Sequence, residues 1–334
     1  MLTLEQLQRR QSCLTASSVA SVLGVSKWST GFDVYASKTK PLEVDEPSPA
    51  QLRGHIFEAA IIDFFERELR AVNPDLEFEL VFPSEQETPF TLEDWRGATP
   101  DCLLVLDDEV ILIDAKTQRE RRDWGDTNFN YKGLETGTRE TTIPLDYDCQ
   151  MRWSMPIVQD RMDKPCHRSL LVVFFTLTDT FEVFSVDRNA CVEDQMVENC
   201  RNWWWKHIVA GVEPELDHST SACAAVKERF PPRADGSPSG ELRHDDGTGK
   251  TMVEQIKAIK KQKKMIEEEL KTLENRLKTY IGDDDGIIGD GFKATWKPQK
   301  GRAAIDMKRL KTDHPEIIST YTKQEDFYKV LRIR

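Results

Sequence analysis

One stretch limits what this 334-residue chain can fold into. It runs Ala98-Thr99-Pro100-Asp101-Cys102-Leu103-Leu104-Val105, then Glu109-Val110-Ile111-Leu112-Ile113-Asp114-Ala115-Lys116-Thr117. Cys102 to Leu106 is short and apolar. Val110 to Ile113 is a β-branched and leucine run without a breaker, and Asp107-Asp108 between the two is turn material. The spacing predicts an antiparallel hairpin, in which the start of one strand lies beside the end of the next. Asp101 opens the first strand and Asp114-Ala115-Lys116 closes the second, so two carboxylates and an ammonium converge at one end of a sheet. Side chains alternate faces along a strand, which puts Asp114 and Lys116 on one face and turns Ala115 away.

Carboxylates this close repel unless a cation sits between them. Hard oxygen ligands suit Mg²⁺, which takes few protein ligands and keeps its waters. A lysine beside a metal-bound water positions or deprotonates that water and offsets charge on a phosphate. The pattern Pro-Asp followed by Asp-x-Lys resembles that of the PD-(D/E)xK nucleases. A surface hairpin with charged ends has the same local composition, so the decision falls to the rest of the chain.

At 39% hydrophobic and 31% charged residues, the composition is that of a soluble globular protein. No apolar run reaches membrane-spanning length, and the N-terminus shows no signal-peptide core. Seven cysteines without a CxxC pair argue for reduced thiols in a cytoplasm, and against a zinc site or disulfide frame. A net charge of −12 argues against a general nucleic-acid coat, since phosphate binding is built from Lys and Arg. It leaves room for an enzyme that concentrates its positive charge in one channel.

Residues 4–12 read as a short polar helix. Thr15 or Ser17 then caps a helix with Val19, Val22 and Leu23 apolar and Gly24 at its end. Its serine-rich start near Arg10 is either an ordinary cap or a seat for phosphate. A connector with prolines over 39–49 leads to a strong helix, Gln51 to Arg70. Its apolar surface comprises Leu52, Ile56, Ala59, Ala60, Phe64 and Leu69, with Phe57, Ile61 and Phe65 alongside. Glu58 sits inside that surface and needs a partner, either a basic side chain or a metal shared with Asp101 and Asp114. Gly54, one turn earlier, allows a close approach of backbone or substrate.

Residues 73–97 read as β-structure with loops. After the hairpin, Arg119, Arg121 and Arg122 with Trp124 suit DNA backbone contacts and base stacking, or else a solvated charge run. Residues 125–142 read as a loop. A helix from Pro144 to Val158 carries Tyr147 and Gln150 one turn apart. Ser169–Thr176 and Thr180–Ser185 read as paired strands. A helix over Val192–Ile208 ends in Trp203-Trp204-Trp205, a core or subunit-interface group rather than a nucleic-acid platform.

The organisation expected is a domain over 1–215, a Ser-, Pro-, Gly- and Asp-rich linker over 216–250, a heptad helix over 251–282 and a small accessory unit over 283–334. In the helix, Ile256, Ile259, Lys263, Ile266, Leu270, Leu273, Leu277 and Tyr280 follow alternating steps of three and four. That seam pairs with another helix, in this chain or in a second one. Gly247-Thr-Gly-Lys250-Thr251 imitates a phosphate loop but lacks its spacing and follows no strand. Gly286–Lys297 and Tyr328–Arg334 read as strands, with Asp306–Leu310 helical between them. The fold class expected is α/β (α+β), a PD-(D/E)xK nuclease core whose mixed central sheet is flanked by helices, followed by the heptad helix and a small β-rich tail.

Taken in order, the motifs resemble those of the phage exonucleases of the lambda-exonuclease and YqaJ-type viral recombinase family. They are Arg10, then Leu14-Thr15-Ala16-Ser17, Gly54-His-Ile-Phe-Glu58, Thr99-Pro-Asp101, Asp114-Ala-Lys116 and Tyr147-Asp-Cys-Gln150. The resemblance implies a metal-dependent enzyme that degrades the 5′-ended strand of linear duplex DNA and leaves a 3′ overhang. It implies that Asp101 and Asp114 ligate Mg²⁺, for which Mn²⁺ substitutes, with Glu58 at a second site or behind the first. Lys116 would activate the attacking water, Gln150 would position water or phosphate, and Arg10 with Ser17 would take a 5′-phosphate. It also implies a ring-shaped homo-oligomer, a trimer by family expectation, and a single-strand annealing protein as partner. Two departures stand out: Asp114 replaces the commoner Glu, and the run Ser48-Pro49-Ala50-Gln51 lacks the basic residue that the phage enzyme carries before its Gly…Glu helix. The rival readings are an endonuclease or repair nuclease on the same fold, and a catalytically silent DNA-binding scaffold. The Arg10/Ser17 pair favours an enzyme that acts on ends.

Overall fold

The computed structural model describes residues 4–41, 48–83, 90–136, 142–235, 237, 240, 245–289, 292–301, 304–323 and 327–333. Parts of the expected connector (42–47), loop (137–141) and linker (236, 238–239 and 241–244) lie outside the described residues, as does Arg334. The chain divides into two compact units between Glu228 and Arg229.

The first unit is built on a five-stranded mixed sheet. Its strands are β2 (Glu79–Val81), β5 (Cys102–Val105), β6 (Val110–Gln118), β9 (Arg168–Phe175) and β10 (Thr180–Asp187), in the order β10-β9-β6-β5-β2. Of the four pairings only β6 with β9 is parallel. A parallel neighbour needs a crossover, and helix α5 (Leu145–Met162) supplies it. The expected hairpin is present: Cys102 pairs with Ile113 and Val105 with Val110.

Alternation along these strands sorts the core into two layers. Leu103, Val110, Leu112, Leu171, Val173 and Phe184 face Met151, Trp153, Met155 and Ile157 of α5. Cys102, Leu104, Ile111, Ile113, Leu170 and Val172 face Ile61, Ile62, Phe65 and Leu69 of α4 (Pro49–Val72). The apolar face of α4 is thus narrower than its sequence implies, since Leu52, Ile56, Ala59 and Ala60 are exposed. Helix α4 opens with a reciprocal cap: Ser48 Oγ accepts from Gln51 N, and Gln51 Oε1 accepts from Ser48 N at 2.9 Å.

A smaller sheet sits at the N-terminus. Strand β1 (Leu14–Thr15), between α1 (Leu4–Ser12) and α2 (Ala16–Val22), runs parallel to β4 (Arg96–Ala98), and β3 (Phe90–Leu92) is antiparallel to β4. Trp153 Nε1 donates to Gly97 O at 3.2 Å, which ties α5 to β4. Helix α6 (Ala190–Trp204) runs on into one π turn, Trp205–Val209. Trp204 is buried and Trp205 is half-exposed, and both pack on Trp95, with ring centroids 6.5 and 5.6 Å away. Within the stretch expected as linker, α7 (Thr220–Arg229) is helical, capped by Ser219 Oγ on Ala222 N at 3.0 Å.

The second unit opens with α8 (Thr248–Ile281). Asp245 accepts from Gly249 N and Lys250 N at 2.9 and 2.8 Å, so the Gly-Thr-Gly-Lys run is the first turn of this helix. A hairpin of β11 (Gly286–Gly289) and β12 (Phe292–Thr295) follows, then α9 (Met307–Asp313), capped by Asp306, and α10 (Pro315–Tyr321). Residues 328–333, most of the stretch expected as a strand, are irregular and pair with no strand among the described residues. An apolar run alone does not make a strand without a neighbour to bond.

Gly97 is where the small sheet admits no side chain, because a Cβ there would lie 2.5 Å from Cys13 Sγ. Gly97→Ala is expected to cost roughly 1–3 kcal/mol of unfolding free energy. Combining it with Cys13→Ala should recover much of that loss in a double-mutant cycle of denaturant midpoints.

Candidate active site

The register of β5 on β6, extended by one residue, sets Asp101 across from Asp114. Asp101 Oδ2 accepts from Ala115 N at 2.8 Å, so the first carboxylate is pinned to the backbone of the second strand. Asp114 shares a face with Leu112 and looks towards α5, where Gln150 Nε2 donates to its Oδ1 at 3.0 Å. Lys116, two residues on, turns to the same face and its ammonium meets Asp114 Oδ2. That oxygen is buried and receives no donor besides the ammonium. The Lys116 Nζ also lies 5.6 Å from the centroid of the Tyr147 ring, and Tyr147 Oη accepts from Gln118 Nε2 at 2.7 Å. One turn of α5 therefore grips β6 at two points.

The electrostatics follow from this crowding. Burial pushes the Asp101 carboxyl well above the usual carboxylate range, and the neighbouring Asp114 charge pushes it further. Burial raises Glu58 too; His55 opposes that shift, and the charge of Asp114 adds to it. For Lys116, burial alone would lower the pKa, but Asp114 and Asp101 outweigh it and hold the ammonium above the ordinary lysine range. Burial likewise raises Tyr147.

Glu58 belongs to α4, which covers the opposite face of the sheet from α5, so it reaches the cluster as a field rather than as a gathered ligand. Among the described residues no three His, Cys, Asp or Glu side chains are grouped to hold an ion. The donor set that converges is the pair Asp101 and Asp114. It fits Mg²⁺, which is commonly held by one or two carboxylates and completes its shell with water and phosphate oxygens.

A second cluster lies at the N-terminus. Arg10, in the last turn of α1, donates through Nη2 to Ser17 Oγ at 3.3 Å. Thr15 has no cap bond to α2; its hydroxyl meets Ser17 Oγ at 3.4 Å and Ser18 Oγ at 3.1 Å. Lys38 of α3 (Gly31–Thr39) donates to the Arg10 carbonyl. Burial lowers the Lys38 pKa to about 8 and lowers that of Arg10 as well. β1 ties this cluster to the first one: Thr15 pairs with Gly97 on β4, and β4 runs through Thr99-Pro100 straight into Asp101.

The arginines after β6 separate. Arg121 turns inward to Glu182 Oε2 at 3.2 Å and Asp126 Oδ1 at 3.7 Å, above the Phe175 ring. Arg119 and Arg122 are exposed, and Arg122 meets Glu120 Oε1 at 3.3 Å. Trp124 packs on Tyr147, Phe175 and Phe184, so it serves the core beneath the site.

Residues 5–160 match the family model of the YqaJ-like viral recombinase domain. That span holds every residue of both clusters. Over 332 residues the chain is 22% identical to the Bacillus subtilis (strain 168) protein YqaJ, covering 97% of this chain and 92% of that protein. Among solved structures it is similar to an alkaline exonuclease (LHK-Exo) from Laribacter hongkongensis, at 14% identity, with 61% of this chain and 92% of that one covered and a TM-score of 0.38. It is also similar to the shutoff and exonuclease protein of Kaposi's sarcoma-associated herpesvirus, at 9% identity, 65% and 71% coverage and a TM-score of 0.32.

Lys38 is the residue of the N-terminal cluster that sequence reasoning missed. It stands 28 residues from Arg10, and only the fold of α3 against α1 joins them. A lysine closing an otherwise ordinary amphipathic segment carries no signal of its own.

The raised Asp101 carboxyl gives a stability prediction. The native state holds that proton more tightly than the unfolded chain, so stability falls as pH rises from the unfolded pKa towards the raised native one. Asp101→Asn removes the charge, and its side-chain oxygen can still accept from Ala115 N. Metal-free Asp101→Asn at pH 8 is expected to be more stable than the parent by roughly 0.5–2 kcal/mol, read as a raised melting temperature.

Proposed function

We propose that this protein is a divalent-metal-dependent exonuclease that degrades the 5′-ended strand of linear double-stranded DNA and leaves 3′ single-stranded overhangs for recombination by strand annealing. The observation that carries the reading is the joined pair of clusters: two close carboxylates with a lysine, linked through β4 and β1 to a half-buried arginine with hydroxyls. The first suits hydrolysis of a phosphodiester, and the second suits the terminal phosphate of the strand being cut.

Asp101 and Asp114 would hold Mg²⁺, with Mn²⁺ able to substitute, and Glu58 would act on the ion's waters. When bound, the ion polarises a phosphoryl oxygen and lowers the pKa of a water. Gln150 fixes the carboxylate of Asp114 through its amide. Lys116, held as an ammonium, donates to a water or to a non-bridging phosphate oxygen and offsets the negative charge that builds there. Arg10, with Lys38 beside it, supplies positive charge for a 5′-phosphate, and Ser17 and Thr15 offer hydroxyl donors. Arg119 and Arg122 are placed to meet the backbone of the duplex, whereas Arg121 is engaged within the chain. A homo-oligomeric ring, a single-strand annealing partner and a cytoplasmic setting belong to this reading.

The test uses linear duplex DNA phosphorylated at one 5′ end, with Mg²⁺ or with EDTA. The phosphorylated strand should shorten from its 5′ end only with metal, while closed circular DNA stays intact. Lys116→Ala is expected to slow cleavage by roughly 10²–10⁴-fold with DNA binding retained. Equal cutting of linear and circular DNA would indicate an endonuclease. Binding without any cutting would indicate a scaffold.

Arg10→Ala gives a separate readout, because it should erase the preference for a 5′-phosphate over a 5′-hydroxyl end by about tenfold or more. That is the scale of one charge-assisted contact, roughly 1.5–3 kcal/mol. The rate on 5′-hydroxyl ends should change little.

A further inference from the structure

The nuclease reading leaves α8 unused. It is a 34-residue helix whose heptad seam is open: Ile259 is 63% exposed, Ile266 64%, Leu270 56% and Leu273 54%. Charged residues flank it: the seam's one polar member, Lys263, pairs with Glu267, and Lys264 on the outer face pairs with Glu268, each at 3.7 Å. A helix of this length, with one narrow apolar stripe and charged flanks, has the pattern of a coiled-coil strand rather than of a surface helix.

With Ile256, Lys263, Leu270 and Leu277 at the a positions and Ile259, Ile266, Leu273 and Tyr280 at d, the residues flanking the seam are fixed. The e positions are Lys260, Glu267 and Glu274, and the g positions are Gln255, Gln262, Glu269 and Arg276. Charge then separates the possible pairings with a second copy. In a parallel pair each g residue faces the e residue five places on, so Glu269 meets Glu274 of the other copy, twice. An antiparallel pair centred on Glu268 brings Glu267 against Glu267 and Glu269 against Glu269. An antiparallel pair centred one half-heptad earlier, between Lys264 and Met265, sets Lys260 against Glu267 on both sides. Its layers are then Met252 with Leu277, Ile256 with Leu273, Ile259 with Leu270, and Lys263 with Ile266. No pair of like charges faces across that last seam.

We infer that α8 is a self-association element, and that its seam is covered by α8 of a second copy of this chain in the antiparallel register that pairs Lys260 with Glu267. Lys263 is the polar position that selects this alignment. It lies just off the dyad, where its stem covers Ile266 and its ammonium reaches a Glu267, whereas its burial in a parallel pair would stack two lysines in one layer.

The experiment is sedimentation equilibrium of the full-length protein over a wide concentration range, with helix content followed by circular dichroism. Leu270→Glu should halve the limiting mass of the assembly with helix content elsewhere retained, whatever the nuclease unit contributes to assembly. Lys260→Glu should weaken the association by roughly tenfold, because two attractive pairs become repulsive. Lys260→Glu with Glu267→Lys should restore it. Glu269→Lys should leave it nearly unchanged. The inference is overturned by a monomer at every concentration, by a mass that Leu270→Glu leaves intact, by a charge swap that fails to restore association, or by a Glu269→Lys variant that associates more tightly, as a parallel pair requires.

Discussion

The hydrogen bond from Ala115 N to Asp101 Oδ2 is the constraint on which the candidate site depends. It fixes one carboxylate against the backbone of the strand that carries the other. Without it, Asp101 would turn to water and relieve its repulsion with Asp114. With it, the chain accepts a raised Asp101 carboxyl and holds two acids side by side. Lys116 partly offsets that charge in the free protein, which keeps the arrangement foldable. Residues that cost stability in this way are typical of sites built for binding rather than for packing.

The sheet makes this placement possible because strand alternation leaves little choice. Asp114 and Lys116 follow Leu112 on the α5 face, and Ala115 follows Ile113 on the α4 face. Gln150 and Tyr147 come from the first two turns of α5, whose position is set by buried Trp153 and by its bond to Gly97. The same strand that receives that bond, β4, pairs with β1 and leads on to Asp101. Arg10, Thr15 and Ser17 are therefore registered to the carboxylates through backbone pairing, with no long side-chain relay between them.

The hairpin was legible because two apolar runs with a turn of aspartates admit one pairing, and the pairing alone sets Asp101 beside Asp114. Tyr147 and Gln150 were legible as a helical pair. The roles of Arg121 and Trp124 were not, because their partners Glu182, Phe175 and Phe184 lie on strands far along the sequence. The exposure of Leu52 and Ile56 was not legible either: periodicity shows which side of α4 is apolar, and only the sheet's width shows how much of it is covered. In the second unit the heptad was evident, whereas the expected terminal strand failed for want of a neighbour. Asp245, within the expected linker, accepts from the first turn of α8.

The central claim is that Asp101 and Asp114 form a divalent-cation site, and Mn²⁺ binding to the intact protein, followed by electron paramagnetic resonance without DNA, tests it most directly. The account predicts saturable binding that Asp101→Asn and Asp114→Asn each abolish and that Arg10→Ala leaves unchanged. Binding that survives both Asp substitutions, or that is lost equally with Arg10→Ala, would contradict it.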